Sequence, residues 1–173
     1  MPIDPDYLRI ATDEKILSEC KREISRGSGP GGQKRNKTSN AVCLVHIPTG
    51  LSVRAQETRS QNSNLKLALQ RLRFALVLQF RKLIDDATYA LPDCVKEAID
   101  HGKLQISPKS TPYLAVTGAV LDILNYQEWS VSKAAGQLGI STGNLAGFLK
   151  NDDKLLAFVN ARRKEKGFKP LGD

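Results

Sequence analysis

Between residues 27 and 32 the chain reads Gly27-Ser28-Gly29-Pro30-Gly31-Gly32, four glycines and a proline in six positions. No other stretch restricts the fold so strongly. Glycine loses the most conformational entropy on ordering, and proline has no N–H to give to a helix or a ladder. The run must be a loop, and regular structure in the N-terminal half has to form on either side of it. Glycine also reaches positive φ at little cost and lets another molecule approach bare backbone. The run leads into Gln33 and then Lys34-Arg35-Asn36-Lys37-Thr38. A polar residue behind a glycine pair, followed at once by cations, suits a loop that carries its backbone into the site of an anionic partner.

The flanks read as a small antiparallel sheet. Thr12 can cap a short helix over Asp13–Ser18, with Asp13 and Glu14 placed for the helix N-terminus. Cys20–Arg26 alternates weakly as a strand. In Ala41–Ile47, Val42, Leu44 and His46 alternate with Cys43, Val45 and Ile47. Pro48-Thr49-Gly50 is a turn and Leu51–Ala55 the returning strand. Ser60 can cap a long helix whose apolar stripe is Leu65, Leu69, Leu72, Leu76, Phe80 and Leu83, ending before Pro92. The expected fold class is α+β: the small sheet packed on the long helix with the glycine loop protruding, then an all-α, helix-turn-helix-like C-terminal domain. Domains are expected at 1–88 and 89–173.

Beyond Ser107-Pro108-Lys109-Ser110-Thr111-Pro112 the pattern is helical to the end. Pro112 suits a first helical position, with Leu114, Val120, Leu121 and Leu124 as apolar anchors. Ala135, Gly139, Ile140, Leu145 and Phe148 have helix-turn-helix spacing, with Gly139 in the turn and Ser141 or Thr142 as the next cap. Asp152 can cap a further helix with Leu155, Leu156 and Val159 inward. Within this motif only Asn144 and Lys150 suit base or phosphate contact, and packing is the favoured use of these helices.

The 173 residues carry a net charge of +8, which favours an anionic partner such as nucleic acid. The charge is concentrated: +6 in residues 20–60 and +3 in residues 159–173, where Arg162, Arg163 and Lys164 adjoin. Cys20, Cys43 and Cys94 are odd in number and lack metal-ligand spacing, so reduced thiols and no metal site are expected. No apolar run is long enough to cross a membrane, and residues 1–7 do not resemble a signal peptide, so the cytoplasm is the expected compartment.

The loop has a chemical reading. Two glycines before Gln33 would turn its backbone N–H outward, and a fixed N–H is what a developing oxyanion or leaving hydroxyl needs in ester hydrolysis. His46 and His101 are the only histidines, and neither is near the loop in sequence. Catalysis here would work by positioning water, without a protein nucleophile. His46, at a strand end before a tight turn, reads as a structural side chain.

The run Ser28–Thr38, Ala41-Val42, His46-Ile47-Pro48-Thr49-Gly50, Arg59-Ser60-Gln61 and Asn64 resembles the catalytic domain of class I peptide chain release factors and their ribosome-rescue relatives, over roughly residues 13–84. The resemblance implies hydrolysis of the ester joining a peptide to the terminal ribose of tRNA. Gln33 would assist at the 3′-hydroxyl through its N–H and shape the water pocket with its side chain, and Gly31 and Gly32 would set its backbone. Lys34-Arg35 departs from the uncharged pair usual in that family and adds charge beside the loop. Lys34, Arg35, Asn36, Lys37 and Thr38 are expected at RNA, as are Arg162, Arg163 and Lys164. Arg59 and Gln61 either touch RNA backbone or cap the helix.

About 26 residues precede the loop, which leaves no room for a codon-reading region. The expectation is therefore a codon-independent peptidyl-tRNA hydrolase of the rescue type. It needs no cofactor. Its partners are the large ribosomal subunit, P-site peptidyl-tRNA and ribosomal RNA, with no membrane, and it acts as a monomer. The competing reading is a nucleic-acid-binding regulator that uses the C-terminal helices and carries an idle loop.

Overall fold

A computed structural model describes residues 3–25, 40–85 and 87–172. The chain falls into two compact units, Met1–Gln79 and Phe80–Asp173.

The first unit opens with a helix the sequence reading did not anticipate, α1 (Pro5–Ile10). Asp4 caps it by accepting from the Asp6 N–H at 2.9 Å, and Pro5 fills a position where a missing N–H costs nothing. In α2 (Asp13–Ser18), Thr12 accepts from the Lys15 N–H. β1 (Cys20–Ser25), β2 (Ala41–His46) and β3 (Ser52–Ala55) form one antiparallel sheet in that order. The register pairs Ser25 with Ala41 and Val42 with Ala55. The expected hairpin is therefore present. Gly50, at φ 72°, closes its turn by donating to the His46 carbonyl at 2.8 Å.

Helix α3 (Gln61–Gln79) packs on β2 and β3. Ser60 caps it through a 3.2 Å bond from the Ser63 N–H. Val42, Leu44 and Ala55 of the sheet are buried, as are Ala68, Leu69, Leu72, Leu76 and Val77 of the helix. The expected stripe continued through Phe80 and Leu83; the helix instead stops at Gln79, and Leu83 is 87% exposed. The physical reason lies in the second unit. The Lys82 N–H donates to the buried Asp122 carboxylate at 2.9 Å, and the Arg81 guanidinium reaches the Gly118 carbonyl at 3.3 Å. These partners engage residues 81–82 outside any helix.

The second unit is built around α5 (Tyr113–Tyr126), buried at ten of its positions and so apolar on nearly every side. Before it come α4 (Asp93–Ala98) and a two-stranded hairpin, β4 (Ile99–Asp100) with β5 (Lys103–Leu104), neither of which the sequence reading resolved. The remaining helices are α6 (Val131–Leu138), α7 (Thr142–Lys150) and α8 (Asp153–Glu165). Gly139 ends α6 in the left-handed region at φ 70°, with the Ile140 N–H returning to the Ala135 carbonyl at 3.0 Å. Ser141 caps α7 and Asp152 caps α8, as their spacing requires. The architecture is α+β, and no helix among the described residues is long and apolar enough to cross a membrane.

Candidate functional site

Gly31, Gly32 and Gln33, with Lys34, Arg35, Asn36, Lys37 and Thr38, lie outside the described residues. The described residues do define where that stretch is anchored. Ser25 and Ala41 are strand partners, so the chain leaves and re-enters the sheet at neighbouring positions.

The re-entry point is fixed by a polar clamp. Asn64, in the first turn of α3, has no exposed surface. Its amide nitrogen donates to the Asn40 carbonyl at 2.7 Å and to the Thr58 carbonyl at 2.9 Å. Its oxygen accepts from the Thr58 N–H at 2.9 Å, with the Thr58 hydroxyl 3.0 Å away. Asn40 adds its own bond to the Thr58 carbonyl at 3.0 Å. One amide thus joins the residue just before β2 to the turn that precedes α3. An amide is the only side chain of this size that offers donors and acceptor together. The sequence reading used Asn64 only as part of a resemblance; a polar residue on the apolar side of a helix was the available signal.

A second network braces the other end of β2. His46 is wholly buried, with Nδ1 2.9 Å from the Thr49 hydroxyl and Nε2 3.2 Å from the Glu19 carboxylate. The Leu51 N–H donates to the Thr49 oxygen. The Glu19 carboxylate can only accept, so the histidine proton is assigned to Nε2, and the Thr49 hydroxyl can then donate to Nδ1. Tyr7 donates its hydroxyl to the other Glu19 oxygen at 2.5 Å. The Tyr7 hydroxyl, with help from His46 and Lys15, holds the Glu19 carboxyl below the ordinary carboxylate range. The same bond pushes Tyr7 up to about 12. Every ring nitrogen of His46 has a side-chain partner, as expected for a structural residue.

Several cations of this unit are committed to structure. Arg71 bonds Glu57 at 2.6 Å and the Arg54 carbonyl at 2.8 Å, and Arg73 bonds Asp13 at 2.6 Å. Lys21 pairs with Glu23 at 2.8 Å. Arg22, Arg59 and Lys66 are exposed and make no ion pair with the described residues. Arg59 and Gln61 stand at the junction of the β3–α3 connection, where Ser60, between them, supplies the cap. Arg59 is therefore left facing solvent, while Gln61 begins the helix half-buried.

In the second unit the polar residues divide differently from the sequence reading. Asn144 stitches α7 to the small hairpin: its oxygen accepts from the Leu104 N–H at 2.7 Å and its nitrogen faces the Leu104 carbonyl at 3.4 Å. A side chain so occupied is not a base-reading group. Arg163, expected at RNA, is 8% exposed. Its guanidinium donates to the Trp129 carbonyl at 2.8 Å and twice to the Lys169 carbonyl, at 2.9 and 3.2 Å. Burial lowers its pKa. It ties the C-terminal tail to the turn before α6 and leaves Arg162 and Lys164 as the exposed pair. Arg162 rests over the Phe158 ring at 5.4 Å and pairs with Glu165 at 3.1 Å.

The first unit is thus a three-stranded antiparallel sheet backed by one long helix, with Gly31-Gly32-Gln33 falling in the sequence between the paired strand ends Ser25 and Ala41. The RF-1 domain family model matches residues 13–98. Over this segment the chain is similar to the RF-1 domain of release factors. It is 49% identical over 63 residues to a mitochondrial translation release factor in rescue from Danio rerio, covering 36% of this chain and 40% of that protein. The human protein of the same description is 49% identical over 59 residues, 34% of each chain. Peptide chain release factor 2 of Acidovorax is 47% identical over 70 residues, covering 40% of this chain and 19% of that one. The chain thus spans well under two thirds of the length of these relatives.

Proposed function

We propose that the protein is a ribosome-dependent peptidyl-tRNA hydrolase that frees nascent chains without reading a codon. The observation that carries this reading is Gly31-Gly32-Gln33 lying within the segment, residues 13–98, that matches the RF-1 domain. Similarity to proteins described as acting in rescue supports the codon-independent form.

In this reading residues 1–88 carry the chemistry. Water adds to the ester carbonyl, the bond to the ribose 3′ oxygen breaks, and that oxygen leaves with a proton. The Gln33 main-chain N–H stabilises charge on the leaving oxygen, and its side chain admits water in preference to larger nucleophiles. The clamp of Asn64 on Asn40 and Thr58 gives the loop a fixed base. Lys34, Arg35, Asn36, Lys37, Thr38 and the exposed Arg59 face ribosomal RNA and the tRNA end. Residues 89–173 anchor the protein on ribosomal RNA, with Arg162 and Lys164 among the contacts.

The test is peptide release from ribosomes stalled without a stop codon and holding labelled peptidyl-tRNA. Wild type releases the peptide. Gly32→Ala misdirects the N–H and slows release about 100- to 1,000-fold, the range for losing one oxyanion donor. Gln33→Ala keeps the N–H and is less damaged. Release by Gly32→Ala at the wild-type rate would remove the loop from the mechanism.

A further inference from the structure

The second unit contains a cleft that ester hydrolysis does not use. Its volume is about 350 Å³, and Gln127, Glu128, Ser130, Lys133, Lys166 and Phe168 line it. Phe168 is the one apolar residue among them, which makes the cleft unsuited to an acyl chain or an apolar helix. It is suited to one flat ring surrounded by polar and cationic groups.

The platform is held in place. The Arg163 guanidinium sits 5.1 Å from the centre of the Phe168 ring, and its bonds to the Trp129 and Lys169 carbonyls hold it there. The Phe168 N–H donates to the Arg163 carbonyl at 2.9 Å. An aromatic ring tied down in this way is still 39% exposed. The backbone at Glu128, which also lines the cleft, is constrained too. Glu128 and Trp129 hold left-handed backbone at φ 50° and 65°, uncommon for a bulky residue. The Trp129 N–H bond to the Leu124 carbonyl at 2.6 Å and the Trp129 ring against Phe158 at 5.8 Å keep it there. Strained backbone of this kind concentrates at ligand sites.

The charges have one sign in excess. Lys133 is exposed and makes no ion pair with the described residues. Lys166 pairs with Glu128 at 3.3 Å, both side chains being about half or more exposed, so the pair is weak and Lys166 is readily given up to a stronger anion. Residues 159–173 add a net +3. Excess cationic charge plus one exposed ring matches how single strands are bound, by stacking of an unpaired base over a cationic groove.

We propose that this cleft binds an unpaired nucleotide of single-stranded RNA, with the base stacked on Phe168 and its flanking phosphates at Lys133 and Lys166. The proposal deepens the ribosome-binding part of the reading above and rests on that part alone. A duplex hides its base faces and is a poorer ligand.

The experiment measures binding of the full chain to a labelled oligoadenylate single strand and to an RNA duplex of equal length, across a salt series. Phe168→Ala is expected to weaken single-strand binding roughly 5- to 150-fold, the loss of one stacked base, and to leave duplex binding unchanged. Lys133→Ala is expected to reduce the logarithmic salt slope by about 0.7, one phosphate contact on a single strand. Phe168→Leu keeps the apolar packing on Arg163 and serves if the alanine variant melts early; it too must lose the single-strand preference. Equal loss for both RNAs, no loss at all, or inorganic phosphate competing as well as the nucleotide would overturn the proposal. Peptide release is not the readout, so an inactive loop leaves the binding result standing, and an inert cleft leaves the hydrolysis reading standing.

Discussion

Replacing Asn64 should loosen the base of the loop, and the structure permits an estimate. In Asn64→Ala the Thr58 N–H and the Asn40 carbonyl lose the partners they have at 2.9 and 2.7 Å. The Thr58 carbonyl keeps its bond from Asn40 and suffers less. Two buried backbone groups left unpaired cost about 1–3 kcal/mol each, and water reaching the partly exposed Thr58 side favours the lower half, so about 3 kcal/mol is expected. Two units need not unfold together, so a single melting midpoint does not isolate the effect. Amide exchange at Thr58 does isolate it: about 3 kcal/mol is roughly a 150-fold loss of protection, while amides of α5 should be unchanged. Asn64→Asp keeps the acceptor but sets a carboxylate oxygen against the Asn40 carbonyl. It should be at least as damaged at neutral pH and recover on acidification, when the protonated group can donate. Unaltered Thr58 protection in both variants would refute the clamp. Slower single-turnover peptide release by Asn64→Ala would join it to the proposed chemistry.

Tyr7→Phe should change the pH dependence of stability on both flanks. Glu19 has a lowered pKa, so its contribution is present above the ordinary carboxylate value and lost as pH falls below about 4.5. Tyr7 is raised to about 12, so its contribution is full below its ordinary value of 10.0 and lost as pH climbs towards 12. Chemical denaturation across pH should show both losses in wild type; the variant should lack the alkaline loss and show a smaller acid one. Gly139→Ala meets open space but forces a side chain into φ 70°, which should cost about 1–2 kcal/mol in denaturant titrations. Arg163→Ala leaves the Trp129 and Lys169 carbonyls without their guanidinium and should cost about 2–4 kcal/mol, with raised exchange in the tail as the local signature. Asn144→Ala should cost about 1–2 kcal/mol through the Leu104 N–H while leaving affinity for duplex DNA unaltered; relaxed base preference would revive the regulatory reading.

What was legible in the sequence was local. The hairpin through Gly50, and the caps Thr12, Ser60, Ser141 and Asp152, follow from residues within a turn of the groups they satisfy. Gly139 is legible because left-handed backbone is cheap only for glycine. What escaped depends on partners far along the chain. The end of α3 at Gln79 is set by Asp122, about forty residues on, and the burial of Arg163 by the carbonyl of Trp129. The roles of Asn144 and Asn64 are of the same kind: an amide side chain looks alike in sequence whether it reads a base or fastens two loops. Gly31-Gly32-Gln33 lies outside the described residues, and it is composition together with the RF-1 domain match over residues 13–98 that singles it out.

Trp129 is the only tryptophan in the chain, and it lies buried in the second unit against the edge of Phe158. Intrinsic indole emission from this protein is therefore a private signal of the helical unit. Because the carbonyl of the same residue is held by the arginine that backs Phe168, a guest settling on that ring would speak to the fluorophore through one shared guanidinium, with no label attached.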